Sequence, residues 1–248
     1  MMIKWLLLLS AAAVIAASNP EEESDDPNVY EGDMILTAEQ RAAALHGQRA
    51  SINSRLWPKG LFVYEIDSSL AGNSRAVSAI RAGISLWQGS TCIRFKQRTN
   101  ERAYARFKLG QGCSSYVGRT GNKQDINLAS GCWHNGIVAH EIGHALGFYH
   151  EQSRPDRDNY VLIKWENIKT GMQYNFQRQG GINSLGTEYD YGSLMHYQKT
   201  AFSKNGQPTI ESKKPGVTLG QRGGPSRIDI KQMKLLYKCG GGGGGGGG

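Results

Sequence analysis

The chain has 248 residues, a formal net charge of +8 and 39% hydrophobic residues, which suits one core-bearing domain with a short leader and leaves no room for a second large domain. Its charge is divided: through Arg49 there are eight acidic residues against three basic ones, and the remainder carries 26 bases and 13 acids. A basic body can attract acidic substrates or surfaces, but no stretch has the pattern of a nucleic-acid-binding module, so no nucleic-acid partner is expected.

The first residues, Met1-Met2-Ile3-Lys4, are followed by an apolar run from Trp5 to Ala17 and small residues at Ile15-Ala16-Ala17-Ser18. This is the pattern of a secretory signal. At 13 residues the run is short of the roughly 20 needed to cross a bilayer, and no later segment is apolar enough to span one. Residues 1–17 are read as a signal peptide and the protein as secreted and extracellular. The acidic cluster Glu21–Asp26 reads as solvated and disordered. Tyr30-Glu31-Gly32-Asp33-Met34 and a short helical pattern from Thr37 to Leu45 complete the leader.

The body opens near Leu56-Trp57-Pro58, and Leu61 to Ile66 reads as a strand. Ser74 can cap a helix in which Val77, Ile80, Ile84 and Trp87 recur at helical spacing. Short strands are expected at Cys92–Phe95, Ala105–Leu109, Tyr116–Val117 and Ile126–Leu128, then a helix from about Gly136 to Phe148. The second half is rich in glycine loops. Its last element begins at Ser226, with Asp229 as capping-box partner, and is expected to bury Ile230, Met233 and Tyr237. The fold class is therefore α+β in two lobes. The N-terminal lobe carries a twisted sheet and a long helix, and the C-terminal lobe is mostly irregular with a terminal helix. The nine glycines from Gly240 to Gly248 have no side chains to pack and are expected to form a flexible coil.

Four cysteines, Cys92, Cys113, Cys132 and Cys239, all follow residue 90. In an oxidising compartment an even count points to two disulfides, with three pairings open. The absence of any Cys-x-x-Cys pair argues against a thiolate metal site.

The chemistry is concentrated in His140-Glu141-Ile142-Gly143-His144-Ala145-Leu146-Gly147-Phe148-Tyr149-His150. On a helix His140 and His144 lie one turn apart on the same face and can grip one ion, with Glu141 beside them within reach of a water. Gly147 can take positive φ, end the helix and turn the chain back so that His150 joins the pair. Three imidazole nitrogens plus water make an open zinc site of the catalytic kind. A second segment, Ser193-Leu194-Met195-His196-Tyr197, supplies the methionine turn that accompanies the long zinc motif in metzincins.

With these residues in place, the chain resembles the astacin family of zinc metalloendopeptidases from about Leu56 to Cys239. The resemblance is carried by Leu56-Trp57-Pro58, Ser115-Tyr116-Val117-Gly118-Arg119, Gly136-Ile137-Val138, the zinc segment extended through Asp158, Tyr189-Asp190-Tyr191 and the methionine turn. It implies that His140, His144 and His150 bind one zinc ion and that Glu141 is the general base. It implies that Tyr197 is a further ligand that swings away to stabilise the transition state, and that Met195 forms the floor beneath the metal. Glu151 would pair with the amino terminus freed by maturation, and Arg222 would favour an acidic residue just after the cut bond. The disulfides would be Cys92–Cys239 and Cys113–Cys132. Glu31-Gly32-Asp33 resembles the pro-segment latch whose aspartate occupies the zinc.

The resulting division is a signal peptide at 1–17, an activation pro-segment at 18–49, a metzincin-type catalytic domain at 50–239 and the glycine tail at 240–248. Gly47-Gln48-Arg49-Ala50 offers trypsin-like cleavage after Arg49, which leaves a slightly short arm ahead of Trp57. The expected partners are protein or peptide substrates and an activating protease, and the expected state is a monomer. The alternative is a catalytically silent secreted zinc-fold binding protein or toxin component.

Overall fold

The computed structural model of the chain describes residues 28–45 and 55–240. The expected signal, the acidic cluster, the Gly47–Ala50 segment and the glycines after Gly240 lie outside the described residues.

Seven strands form one mixed sheet. Two come from the leader, β1 (Val29–Tyr30) and β2 (Met34–Ile35), and five from the body: β3 (Leu61–Ile66), β4 (Arg94–Gln97), β5 (Tyr104–Lys108), β6 (Cys113–Tyr116) and β7 (Lys123–Leu128). Their order is β1-β2-β6-β7-β5-β3-β4. Strands β4, β3, β5 and β7 run parallel, whereas β6 is antiparallel to β7 and β2 lies parallel to β6. The helix α1 (Ala38–Leu45) ends the described part of the leader, and the short α2 (Ser68–Ala71) follows β3.

The main helices are α3 (Ser74–Ser90) and α4 (Asn135–Ala145). Helix α3 is capped by the Asn73 side chain on Ala76 N, one residue before the expected Ser74; of two adjacent cap-type residues, the one outside the helix caps. It buries Ala76, Ala79, Ile80, Gly83, Ile84 and Trp87, a stripe at three- and four-residue spacing, and Val77 is only half-buried. Gly83 lets the two helices touch, since a Cβ there would lie 2.9 Å from Val138 Cγ1.

Strand β4 starts two residues later than expected because the Thr91 hydroxyl accepts from Ile93 N and holds the Cys92 region in a turn. Disulfides join Cys92 to Cys239 and Cys113 to Cys132. The N-terminal core contains Trp57, Phe62, Trp87, Phe107 and Ile126.

The C-terminal half has its own cluster, built on Phe176, Tyr189, Tyr197 and Phe202. It is mostly turns, as expected, with a small antiparallel pair absent from the sequence reading, β8 (Val161–Ile163) and β9 (Ile210–Ser212). It ends in α5 (Arg227–Leu236), whose capping box joins Ser226 and Asp229. That helix buries Met233 and Leu236, while Ile230 and Tyr237 are half-buried, and the Tyr237 hydroxyl donates to the Leu146 carbonyl at 2.9 Å. Among the described residues no helix is long and apolar enough to cross a membrane.

Candidate metal centre

Helix α4 is buried from Gly136 to Ala145. Its N-terminus is capped by His134, and its carbonyls take two tryptophan donors, Trp87 Nε1 on Ala139 O and Trp57 Nε1 on Ala145 O, each at 2.8 Å. The helix ends at Ala145, three residues before the expected Phe148. Gly147 has φ 114°, its N–H donates to His144 O, and Phe148 N–H donates to Gly143 O. This left-handed double closure is a Schellman ending, and it turns the chain so that His150 faces His140 and His144.

The three histidines and Asp33 form one group whose candidate ligand atoms all lie within 4.8 Å of one another, and all four residues are buried. Asp33 Oδ2 lies 2.9 Å from His140 Nε2 and 3.2 Å from His150 Nε2, and Asp33 Oδ1 lies 3.3 Å from His144 Nε2. The outer ring nitrogens fix the protons. His140 Nδ1 donates to Leu194 O at 2.9 Å, His144 Nδ1 to Phe148 O at 2.8 Å and His150 Nδ1 to Glu31 Oε2 at 2.8 Å. The two carbonyl oxygens can only accept, so the Nδ1 hydrogens of His140 and His144 point outward and their Nε2 atoms point inward.

Burial pushes the His140 imidazole down to about 3, with the Arg222 charge adding to it. Burial also acts to lower His150, but the Asp33 and Glu31 carboxylates outweigh it and raise that ring to about 9. Asp33 is held well below the usual carboxylate range: burial opposes ionisation, and the His150 charge beside it is the largest of the effects that overcome it. A proton on His150 satisfies only its own contact with Asp33. The Nε2 atoms of His140 and His144 remain 3.1 Å apart, lone pair against lone pair beside a carboxylate. A cation resolves that crowding, and three imidazoles with one carboxylate oxygen are a four-donor set that fits zinc.

Glu141 follows His140 in the buried face of α4. Met195 packs beneath, and a Cβ at Gly143 would lie 2.8 Å from its sulfur, so the glycine inside the motif makes room for the methionine floor. The Tyr197 hydroxyl donates to Glu31 O at 2.7 Å, and its ring lies 4.7 Å from the His150 ring. The resemblance gave Tyr197 as a ligand; that role requires the phenol to leave this carbonyl.

Several supporting residues were not singled out in the sequence. Glu31 reaches His150 and Ser153 Oγ, and Gln152 Oε1 accepts from Tyr197 N at 3.0 Å. Asp229 has a second task beyond its helix: its carboxylate accepts from Ser193 Oγ at 2.7 Å and from Leu194 N at 2.8 Å. It thereby holds the turn whose Leu194 carbonyl orients His140. Burial pushes Asp229 up to about 6.

Glu151, expected to meet a freed amino terminus, is buried against Arg154 Nη1 at 3.0 Å and Asp190 N at 2.8 Å. Burial pushes it up to about 8, against the Arg154 charge. Arg222 is half-buried, with Nη1 on His196 O at 3.1 Å. Its backbone presses on α4 so closely that a Cβ at Gly136 would meet Arg222 O at 1.6 Å.

Residues 49–238 match the family model described as Astacin (Peptidase family M12A). The chain is 47% identical over 188 residues to Zinc metalloproteinase nas-15 of Caenorhabditis elegans, covering 75% of this chain and 33% of that protein. It is 40% identical over 222 residues to High choriolytic enzyme 1 of Oryzias latipes, covering 86% of this chain and 79% of that one. The chain spans only 33%, 38% and 41% of the length of nas-15, Blastula protease 10 of Paracentrotus lividus and nas-13 of C. elegans. The solved structure of High choriolytic enzyme 1, a hatching enzyme zinc-protease, superposes with a TM-score of 0.71 at 42% identity over 75% of this chain and 96% of that one. A fold of this likeness, a matching sequence model and a site of three histidines, two on α4 and one just beyond its end, have one common explanation: the chain belongs to the astacin family of peptidases, M12A.

Proposed function

We propose that this chain is a secreted zinc endopeptidase made as a zymogen, hydrolysing peptide bonds in proteins. The observation that carries the reading is the buried convergence of His140, His144 and His150, with Glu141 on the same helix. When bound, a zinc ion held by the three imidazoles would polarise the scissile carbonyl and acidify the attacking water. Glu141 takes the proton of that water and returns it to the leaving amine. Tyr197, freed from the Glu31 carbonyl, donates its O–H to the developing oxyanion, and Met195 supports the floor.

The zymogen reading is supported by the position of the leader. Asp33 occupies the centre of the site, and β2 lies along β6 with Met34 opposite Ser115 and Ile35 opposite Tyr116. Gln40 Nε2 donates to Val117 O at 2.9 Å and anchors α1 beside the same edge. An extended substrate would use that edge once the segment has left, by adding a strand. In the mature chain the new amino terminus near Gln48 to Ala50 approaches Glu151, and Arg222 favours an acidic residue just after the cut bond. The signal at 1–17 directs export.

Casein cleavage by the processed protein should be abolished by a chelator and restored by zinc. The Asp33→Ala precursor should cleave measurably before processing. Cleavage indifferent to the chelator would overturn the zinc reading, and a silent Asp33→Ala precursor would overturn the latch.

A further inference from the structure

Glu31 does more than begin the turn that delivers Asp33. It is fully buried and sits at φ 48°, a left-handed conformation that is unfavourable for a non-glycine residue. Its Oε2 accepts from His150 Nδ1 at 2.8 Å and from Ser153 Oγ at 2.9 Å, and its carbonyl accepts from the Tyr197 hydroxyl at 2.7 Å. Its other carboxylate oxygen, Oε1, has no hydrogen-bond partner among the described residues. A buried, strained anion with an unsatisfied oxygen is unfavourable unless positive charge lies nearby.

The three histidines differ in what stands behind them. His140 and His144 donate to backbone carbonyls of the body, Leu194 and Phe148, neutral acceptors that remain after any processing. His150 alone donates to a carboxylate, and that carboxylate belongs to the segment ahead of Arg49. A carboxylate behind a ligating imidazole raises the basicity of its inward nitrogen and tightens its hold on a metal. Asp33 and Glu31 also bring two negative charges to a dication in a buried site, and both leave together.

We propose that Glu31 is an outer, positioning carboxylate of the metal centre, lent by the pro-segment, so that the precursor retains its zinc more tightly than the processed enzyme does. Asp33 fills the position in front of the ion, while Glu31 secures His150 from behind and keeps the Tyr197 phenol occupied. Removing the segment then does two things: it opens the site and loosens the ion. The inference rests on the zinc reading above and deepens it.

The test measures the rate at which zinc passes to a chromogenic chelator, at one neutral pH, from full-length precursors carrying Glu31, Glu31→Gln or Glu31→Ala. Glutamine keeps the shape and an acceptor for His150 but removes the charge. Release should be slowest for Glu31, faster by roughly ten-fold for Glu31→Gln and faster again for Glu31→Ala, within the range that outer-sphere changes produce. Processing with a trypsin-like protease removes residue 31, so all three precursors give the same mature chain. Their release rates should then coincide and exceed that of the unaltered precursor, which also shows that each variant folded. Equal release from the three precursors, or no acceleration on processing, would overturn the proposal and leave the zinc reading intact. A precursor that binds no zinc would overturn both.

Discussion

The two halves of the body hold the metal centre by different physics. From Trp57 to Leu146 the site rests on regular elements packed through apolar side chains: α3 presses Trp87 and Gly83 against α4, and Trp57 closes its far end. From His150 to Tyr237 there is little regular structure. Position is set instead by buried polar side chains that each serve several partners. Asp229 binds Ser193, Leu194 and Ser226 N, and Arg154 joins Glu151, Asp156 and the carbonyls of Thr187 and Glu188. A packed lobe can lose a side chain and sag, whereas a networked lobe leaves donors unpaired when one member goes. Two imidazoles come from the first kind of support and the third, with Tyr197 and Met195, from the second.

This contrast can be broken or sharpened by substitution. Glu141→Ala, which changes neither kind of support, should lower kcat by roughly 10²–10⁴-fold while zinc content and melting temperature stay near those of the parent protein; near-normal activity would remove Glu141 from the chemistry. Trp87→Ala should cost about 3–5 kcal/mol of stability, read by denaturant unfolding, because it empties the joint between α3 and α4. Asp229→Ala should cost roughly 1–3 kcal/mol for each donor left unpaired, and its signature should be faster zinc loss than an equally destabilising change in the apolar core produces. If the two lose zinc alike at equal stability, the distinction between the lobes fails. Gly143→Ala should cost about 1–3 kcal/mol through crowding of the Met195 sulfur, and in a Gly143→Ala, Met195→Ala double variant the total cost should be smaller than the sum of the two single costs. Arg98→Ala, which removes a surface pair with Glu65 on the sheet, should change stability by under about 1 kcal/mol.

The same contrast explains what could be read in the sequence. The convergence of the three histidines was legible because His140, His144, Gly147 and His150 express their geometry within eleven residues, through helical spacing and one glycine turn. The five sheet strands β3 to β7 and the two main helices were legible for the same reason, with ends displaced where a side chain intervened, as at Thr91 and Asn73, whereas β1 and β2, two residues each, were not. The Ser226–Asp229 capping box was also local, yet the hold of Asp229 on Leu194 spans 35 residues and leaves no periodic trace. Glu31 is further still, 119 residues from His150, and in a Glu-Gly-Asp turn only the aspartate stood out. The half-burial of Arg222 left no local signal, because it depends on Gly136 of α4, whose missing side chain lets the Arg222 backbone lie against that helix. The pair β8 and β9 was missed because each strand is three residues long, too short to show alternation.

Three imidazoles and the Asp33 carboxylate converge on one point, and X-ray absorption at the zinc edge of the full-length protein shows whether a single zinc ion sits there. One zinc per chain is expected, bound by three histidine nitrogens and carboxylate oxygen at about 2.0–2.2 Å, with the oxygen contribution altered in Asp33→Ala. A spectrum with fewer than three histidine ligands, or one unchanged by Asp33→Ala, would rule that arrangement out.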